Sequence, residues 1–104
     1  MFNKHRIEKN ILIITFENNE LDLSSIEQFF DSSCKHLIFD LREVLHLNIQ
    51  DLIKFTKFGK NLVKINSFVM ISSQFFDSDF LVVRTLQEAF DIIDMEDIER
   101  LLKI

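Results

Sequence analysis

One junction between an apolar run and a helix start constrains the fold of this chain more than any other feature. The run covers residues 36–41 and is typical of a strand, and a short connection leads from it to Asn48. Asn48 is a favourable N-cap residue, and Asp51 stands three residues later, as the partner in a capping box does. Leu47 and Leu52 occupy the two positions of a hydrophobic staple around this start. The sequence therefore predicts a strand that passes into a helix beginning at residue 49.

The remaining pattern predicts one α/β domain over residues 1–104. A chain of 104 residues suffices for a single two-layer core. The predicted order is β-β-α-β-α-β-β-α, with strands at 2–7, 11–16, 36–41, 67–72 and 80–84 and helices around 26–33, at 49–64 and from residue 86. Asp94 can cap a second apolar stripe near the C-terminus, so this last region is either two short helices or one bent helix.

Three segments resemble the STAS domain, the small fold of anti-sigma factor antagonists and of sulfate-transporter tails. The central pattern of that family matches Asp40-Leu41 and Val44, in addition to the staple leucines. The segments 20–22 (Glu-Leu-Asp) and 85–89 (Thr-Leu-Gln-Glu-Ala) are similar to its opening and closing motifs. The resemblance implies a STAS-like mixed β-sheet with helices packed mainly on one face.

The resemblance also implies a regulatory role, but the family's phosphoacceptor position is altered. The Asp-Ser-Ser-Gly of the family falls on Asn48-Ile49-Gln50-Asp51, so Ile49 replaces the serine and Asp51 the glycine. Ile49 has no hydroxyl to phosphorylate, and a carboxylate at Asp51 would repel a phosphate near the helix start. The sequence therefore predicts a non-phosphorylatable binding module; a connection that only caps the helix is the alternative.

The predicted second helix carries an apolar arc wider than half of its circumference. Phe55 and Phe58 extend the arc sideways toward a lysine stripe. Burial of both rings under the C-terminal helix is one explanation, and contact with a partner is the other. The predicted partner-binding residues are Asn48, Ile49, Gln50, Asp51, Phe55 and Phe58.

Composition excludes several kinds of partner. A net charge of −5 opposes nonspecific nucleic-acid binding, which lysine and arginine residues carry. No apolar run approaches the roughly 18 residues of a membrane span, and the run at 11–16 is too short for a signal peptide. The predicted location is therefore the cytoplasm, with no direct membrane insertion and no nucleic-acid partner, and the family resemblance implies a bacterial source.

Candidate catalytic and metal-binding residues are sparse, so the chain is predicted not to be an enzyme. His5, His36 and His46 lack the spacing of a metal site, and the acidic residues between 91 and 99 lack the pattern of a calcium loop, which favours solvated surface. Cys34 is the only cysteine, and it is predicted to be a small buried hydrophobic residue. Gly59, the only glycine, lies inside a predicted helix, where it permits close packing. No catalytic residue, cofactor or metal is predicted.

Four interpretations remain open. The first is a protein-interaction module that binds an anti-sigma or kinase-like protein, and the second is a STAS subunit bound to a transporter ATPase of an ABC complex. The third is a small-ligand-binding domain that uses the carboxyl edge of the sheet. Homodimerisation through Phe55 and Phe58 explains the aromatic flank equally well.

Overall fold

The computed structural model describes residues 4–17, 23–74 and 80–103. They form an α/β domain with a five-stranded mixed sheet in the order β1-β2-β3-β4-β5. The strands are β1 (Lys4–Glu8), β2 (Ile11–Thr15), β3 (His36–Asp40), β4 (Phe68–Ile71) and β5 (Val82–Val83). The helices are α1 (Ile49–Val63) and α2 (Leu86–Leu102), and a short 3-10 helix covers Ile26–Phe29. No helix among the described residues has the length and apolar character that crossing a membrane requires.

An antiparallel hairpin opens the sheet, and all other strand pairs are parallel. β1 and β2 pair with Glu8 opposite Ile11, so the turn consists of Lys9 and Asn10, and β1 extends one residue beyond the strand end predicted at residue 7. β2, β3, β4 and β5 then pair in parallel. Each of the inner strands β2, β3 and β4 is almost wholly buried, which is why these strands appear in the sequence as continuous apolar runs.

The two long helices cover opposite faces of the sheet. Side chains alternate along each strand, so Leu37 and Phe39 point to the α1 side and Ile38 to the α2 side. The core beneath α1 is aromatic, with rings in edge or tilted contact, and consists mainly of Phe16, Phe39, Phe55 and Phe68. The core beneath α2 is smaller and aliphatic. The expectation that helices pack mainly on one face is therefore wrong: α2 is needed because the second sheet face is also apolar.

The first predicted helix is reduced to the 3-10 turn at Ile26–Phe29. Of its predicted apolar stripe, Ile26 is buried, and Phe29 and Phe30 are only half-buried. Just beyond the turn, Asp31 Oδ1 accepts hydrogen bonds from the Ser33 amide at 2.8 Å and the Ser33 hydroxyl at 2.5 Å. This local pairing gives the backbone an alternative to a continued helix.

The C-terminal region is one helix, α2, which runs without interruption from Leu86 to Leu102. Thr85 caps it, and its hydroxyl oxygen accepts a hydrogen bond from the Glu88 amide at 3.1 Å. Asp94 lies inside the helix and caps no second one.

Lys64 ends α1 in a backbone conformation that suits glycine, with φ of 59° and ψ of −108°. A non-glycine residue in such a sparsely populated region costs about 1–3 kcal/mol. We expect Lys64→Gly to raise the free energy of unfolding by about 1 kcal/mol, because the relieved strain exceeds the extra chain entropy that glycine adds to the unfolded state. Urea unfolding measures the change.

Lys60→Gly is the matched control, because Lys60 lies within the same helix four residues earlier. It should lower the free energy of unfolding by about 1 kcal/mol. Equal destabilisation by the two substitutions would contradict the strain at Lys64.

Candidate functional site

The connection between β3 and α1 is held by a complete capping box. The Asp51 amide donates to Asn48 Oδ1 at 2.9 Å, and the Asn48 amide donates to Asp51 Oδ2 at 3.2 Å. Leu47 and Leu52, the predicted staple residues, are both buried in the core beneath α1. The predicted helix start at Ile49 is thus confirmed, and its first turn is fixed by both polar and apolar contacts.

The end of β3 is fixed by a two-pronged ion pair. Arg42 Nε donates to Asp40 Oδ1 at 2.9 Å, and Arg42 Nη2 donates to Asp40 Oδ2 at 2.7 Å. The hydrogen bonds from the guanidinium to Asp40 raise the pKa of Arg42. This parallel geometry holds both side chains in one orientation, so the carboxylate of Asp40 is already committed to a partner.

A third contact ties the connection to the residues after β4. Gln74 Nε2 donates to the Val44 carbonyl at 3.0 Å, and the Gln74 amide donates to the Ser72 hydroxyl oxygen at 3.1 Å. The connection is therefore anchored at its start, middle and end. Such anchoring reduces the entropy that a binding partner must remove.

This anchored connection exposes large apolar side chains. Leu45 is 71% exposed and Ile49 is 55% exposed, although the nearby apolar residues Val44, Leu47 and Leu52 are buried. Asn48 and Gln50 are also exposed, and Asp51 is half-buried. We call Leu45, Asn48, Ile49 and Gln50 the junction surface. Four of the predicted contact residues, Asn48, Ile49, Gln50 and Asp51, lie in this surface or next to it, and Leu45 is an exposed apolar residue that the prediction did not include.

Phe55 does not belong to this surface. Its side chain is fully buried, with ring centroids 5.3 Å from Phe16 and 5.6 Å from Phe39. A buried ring cannot contact a partner without repacking the core, so its inclusion among the contact residues is wrong. Phe58 is half-buried and stacks on Phe39 at 6.2 Å. The burial is against the sheet and the 3-10 segment, not under α2, because α2 lies on the other face.

A buried polar network, which the sequence did not indicate, lies at the opposite end of β3. His36 is fully buried, its Nδ1 accepts a hydrogen bond from the Ser67 amide at 3.0 Å, and its Nε2 lies 3.1 Å from Asp97 Oδ2. An Nδ1 that accepts from an amide carries no proton, so Nε2 is the donor to Asp97. His36 is therefore a neutral structural histidine, and it lies at the end of a strand, as the first residue of β3.

The pKa shifts agree with this assignment. Burial lowers the pKa of His36 below its usual range and outweighs the opposite effect of Asp97. Partial burial raises the pKa of Asp97. The hydrogen bonds and charges of Arg100 and His36 lower it by a larger amount, so the pKa of Asp97 lies below its usual value. Asp97 is thus ionised beside a neutral imidazole at neutral pH.

The same network engages Glu96 and Arg100 through the Ser67 hydroxyl. Ser67 Oγ donates to Glu96 Oε1 at 2.5 Å and accepts from Arg100 Nη2 at 2.6 Å, while Arg100 Nη2 also donates to Asp97 Oδ1 at 3.0 Å. The prediction that the acidic cluster is solvated surface is wrong for Glu96 and Asp97, which are half-buried. A spacing of 61 residues between His36 and Asp97 gave no sequence signal.

Serine, histidine and aspartate meet here without the geometry of an acyl-transfer triad. In such a triad the histidine takes its proton from the serine hydroxyl. Here His36 accepts from the Ser67 backbone amide instead, and the Ser67 hydroxyl bonds to Glu96 and Arg100. The arrangement joins β3, β4 and α2, and it does not activate a nucleophile.

Within residues 4–17, 23–74 and 80–103, no group of three or more histidine, cysteine, aspartate and glutamate side chains could hold a metal ion. Cys34 is buried and free, as predicted for a small hydrophobe. The segment 20–22 that resembles the family's opening motif lies outside the described residues.

No protein-family model matches the chain, and no curated protein shows significant similarity to it. The geometry of the described residues is therefore the basis for any functional proposal.

Proposed function

We propose that this chain is a non-catalytic, STAS-like module of the bacterial cytoplasm that binds a protein partner through the junction surface. The observation that carries the proposal is the exposure of Leu45 and Ile49, 71% and 55%, on a connection that is otherwise fixed. Apolar side chains on a rigid element suit contact with a partner, because little entropy is lost when they are buried.

The polar residues near this surface support a binding role over a catalytic one. Asp40 is paired with Arg42, and Asn48 and Asp51 satisfy each other. A general base or nucleophile needs a free lone pair within reach of a substrate. The neighbouring groups instead hold the backbone in place, as a recognition surface requires.

The proposed module binds without a phosphorylation switch at the helix start. Ile49 occupies the family's phosphoacceptor position and is exposed, so an apolar side chain is presented where relatives of the resembled family carry a hydroxyl. Binding at this position would be constitutive, since no charge is added or removed there. The proposed partner is an anti-sigma or kinase-like protein.

The second candidate partner is a transporter ATPase, with the chain as a non-phosphorylated STAS subunit of an ABC complex. The same junction surface would serve, because a steady structural contact also needs rigid apolar anchors. The identity of the captured partner separates the two candidates.

Photo-crosslinking at the junction tests the proposal. We expect a photoreactive amino acid at position 49, introduced into the full chain in native cytoplasm, to crosslink one kinase-like protein or transporter ATPase, identified by mass spectrometry. Ile49→Glu should weaken co-purification of that protein at least tenfold, because a charge replaces an apolar anchor.

Position 65 supplies the matched control. Ile65 is also an exposed isoleucine, 82% exposed, but follows the other end of α1. Ile65→Glu should leave the co-purification unchanged, and circular dichroism should show both variants folded. Equal loss in the two variants, or retention of the partner by Ile49→Glu, would refute the junction surface as the contact.

A further inference from the structure

A pocket with a volume of about 380 Å³ lies beside the open edge of β4. β5 pairs only with Met70 and Ile71, so among the described strands none covers this edge at Phe68. The pocket walls come from α1, the start of β4, the residues before β5 and the second half of α2. Its volume falls in the range of about 300–1,000 Å³ that small-molecule sites occupy.

Positive charge dominates the polar part of the pocket. Lys60 and Lys64 of α1 and Arg100 of α2 line it, against one lining carboxylate among the described residues, Glu96. Glu96 is engaged by the Ser67 hydroxyl at 2.5 Å. Arg100 is paired with Asp97, outside the lining, at 3.0 Å, so the excess positive charge of the lining comes from Lys60 and Lys64, although the whole chain has a net charge of −5. A local excess of cations within an acidic protein favours an anionic ligand.

An apolar surface stands opposite these cations. It consists of Phe68, Met70, Phe80 and Leu81. Phe68 and Met70 belong to the core beneath α1, and Phe80 packs against that core. The part of this surface that water reaches belongs mainly to Leu81, which is 40% exposed, and to the half-buried Phe80. A ligand with an aromatic or aliphatic body would cover that part, whereas an inorganic ion would not.

The pocket wall also contains an unsatisfied polar atom. Thr56 lines the pocket, and its Oγ1 is buried without a hydrogen-bond partner among the described residues. A buried polar atom without a hydrogen bond lowers the free energy of unfolding by about 1–3 kcal/mol. Thr56 Oγ1 is buried, so a ligand reaches it only after the pocket wall moves. We therefore expect the ligand to contact the lysines first.

We propose that this pocket binds a small organic anion that carries one oxyanion group on an apolar body. Lys60 and Lys64 hold the oxyanion through charge-assisted contacts, while Arg100 remains bonded to Ser67 and Asp97 at the pocket wall. Phe68 and Leu81 pack against the apolar body, and Thr56 donates a hydrogen bond once the ligand is seated. The site is separate from the junction surface. It lies near the amino end of β4 and not at the carboxyl edge of the sheet, which the small-ligand interpretation of the sequence would use.

Two-dimensional NMR titration of the full chain tests the proposal with defined probes. Phenylacetate and phenyl phosphate should shift the amide resonances of Thr56, Lys60, Phe68 and Leu81 in a saturable manner. Phenylacetamide, which has the same body without the charge, should bind at least tenfold more weakly. Inorganic phosphate should also bind at least tenfold more weakly than phenyl phosphate, because it lacks the apolar body.

Paired charge removals locate the site. Lys60→Gln with Lys64→Gln should weaken phenyl phosphate binding at least tenfold. Lys54→Gln with Lys57→Gln is the control, because it removes the same charge from exposed positions of the same helix that do not line the pocket. Thr56→Val should raise the melting temperature of the free protein and weaken the binding about threefold, since it removes an unsatisfied hydroxyl that the ligand would pair.

Each contrary result overturns the proposal. Absence of saturable shifts excludes the site, and equal losses in the two lysine pairs reduce the binding to general charge attraction. Equal binding of phenylacetamide excludes an anion site, and equal binding of inorganic phosphate excludes the apolar subsite. Unchanged binding in a folded Lys60→Gln, Lys64→Gln protein excludes the proposed cations.

Discussion

Gly59→Ala should destabilise the protein by about 1–3 kcal/mol, although alanine is the better helix former. Gly59 is buried in α1 against Phe68, and a Cβ built there would lie 2.5 Å from Cε1 and 2.6 Å from Cγ of that ring. The ring cannot simply move away, since it is packed edge-on against Phe39 with centroids 5.0 Å apart. Steric overlap therefore exceeds the gain of about 1 kcal/mol in helix propensity. Urea unfolding measures the change in the free energy of unfolding.

A double-mutant cycle with Phe68→Leu separates the overlap from any general effect on α1. The smaller side chain should relieve part of the cost, so Gly59→Ala should destabilise the Phe68→Leu protein less than the wild type. Asn61→Ala, at an exposed position of the same helix, should be neutral or slightly stabilising. A Gly59→Ala protein as stable as Asn61→Ala would contradict the close approach of α1 and β4.

Replacement of His36 should have the second large effect. His36→Leu should lower the free energy of unfolding by about 2–3 kcal/mol at pH 7.5, because the buried Ser67 amide loses its acceptor and Asp97 loses its donor. His36→Gln should cost less, since an amide side chain offers both an acceptor and a donor. Chemical unfolding at fixed pH gives both values.

The same residue should make stability depend on pH. The pKa of His36 is lowered in the folded protein, so the stability that it contributes is fully present above the ordinary histidine value of about 6.5. Below that value the unfolded chain binds a proton that the folded chain does not. The free energy of unfolding should then decrease by up to about 1.4 kcal/mol per pH unit as the pH falls toward the folded pKa.

The charged groups around the imidazole ring also affect the pKa of His36. Asp97 favours the protonated form, while Arg100 and Lys35 oppose it, and burial decides the direction. His36→Gln should remove the decrease between pH 6.5 and 5.5, whereas His46→Gln, at an exposed position, should retain it. An identical pH profile in wild type and His36→Gln would contradict the role of His36.

Local signals in the sequence predicted the local structure well. The capping box at Asn48 and Asp51 depends on residues three positions apart, and it forms as predicted. The three inner strands appear as apolar runs because both sheet faces are covered. For the same reason, the sequence did not show that helices cover both faces of the sheet. When every residue of a strand is apolar, the pattern does not indicate which face a helix covers.

Long-range features could not be predicted in this way. The pairing of His36 with Asp97 depends on how α2 crosses the sheet, and isolated histidine and acidic residues gave no indication of it. Phe55 and Phe58 lie on one wide apolar arc, and only the packing of α1 against Phe39 separates the buried ring from the half-buried one. Of the predicted contact residues, those at the helix start are therefore exposed or half-buried, whereas Phe55, further along the helix, is buried.

The placement of one helix on each face has a consequence for biosynthesis. Most of the aromatic core forms from residues up to Met70, so one layer of the domain can assemble while the chain is still being made. The opposite face, with Ile11, Ile38 and Val69 among its buried residues, stays bare until α2 has been synthesised. A nascent chain at that stage exposes an aliphatic face of the sheet. Neighbouring nascent chains on one messenger RNA would then be prone to associate through these faces. The synthesis of α2 is thus the step that covers this face and prevents association between nascent chains.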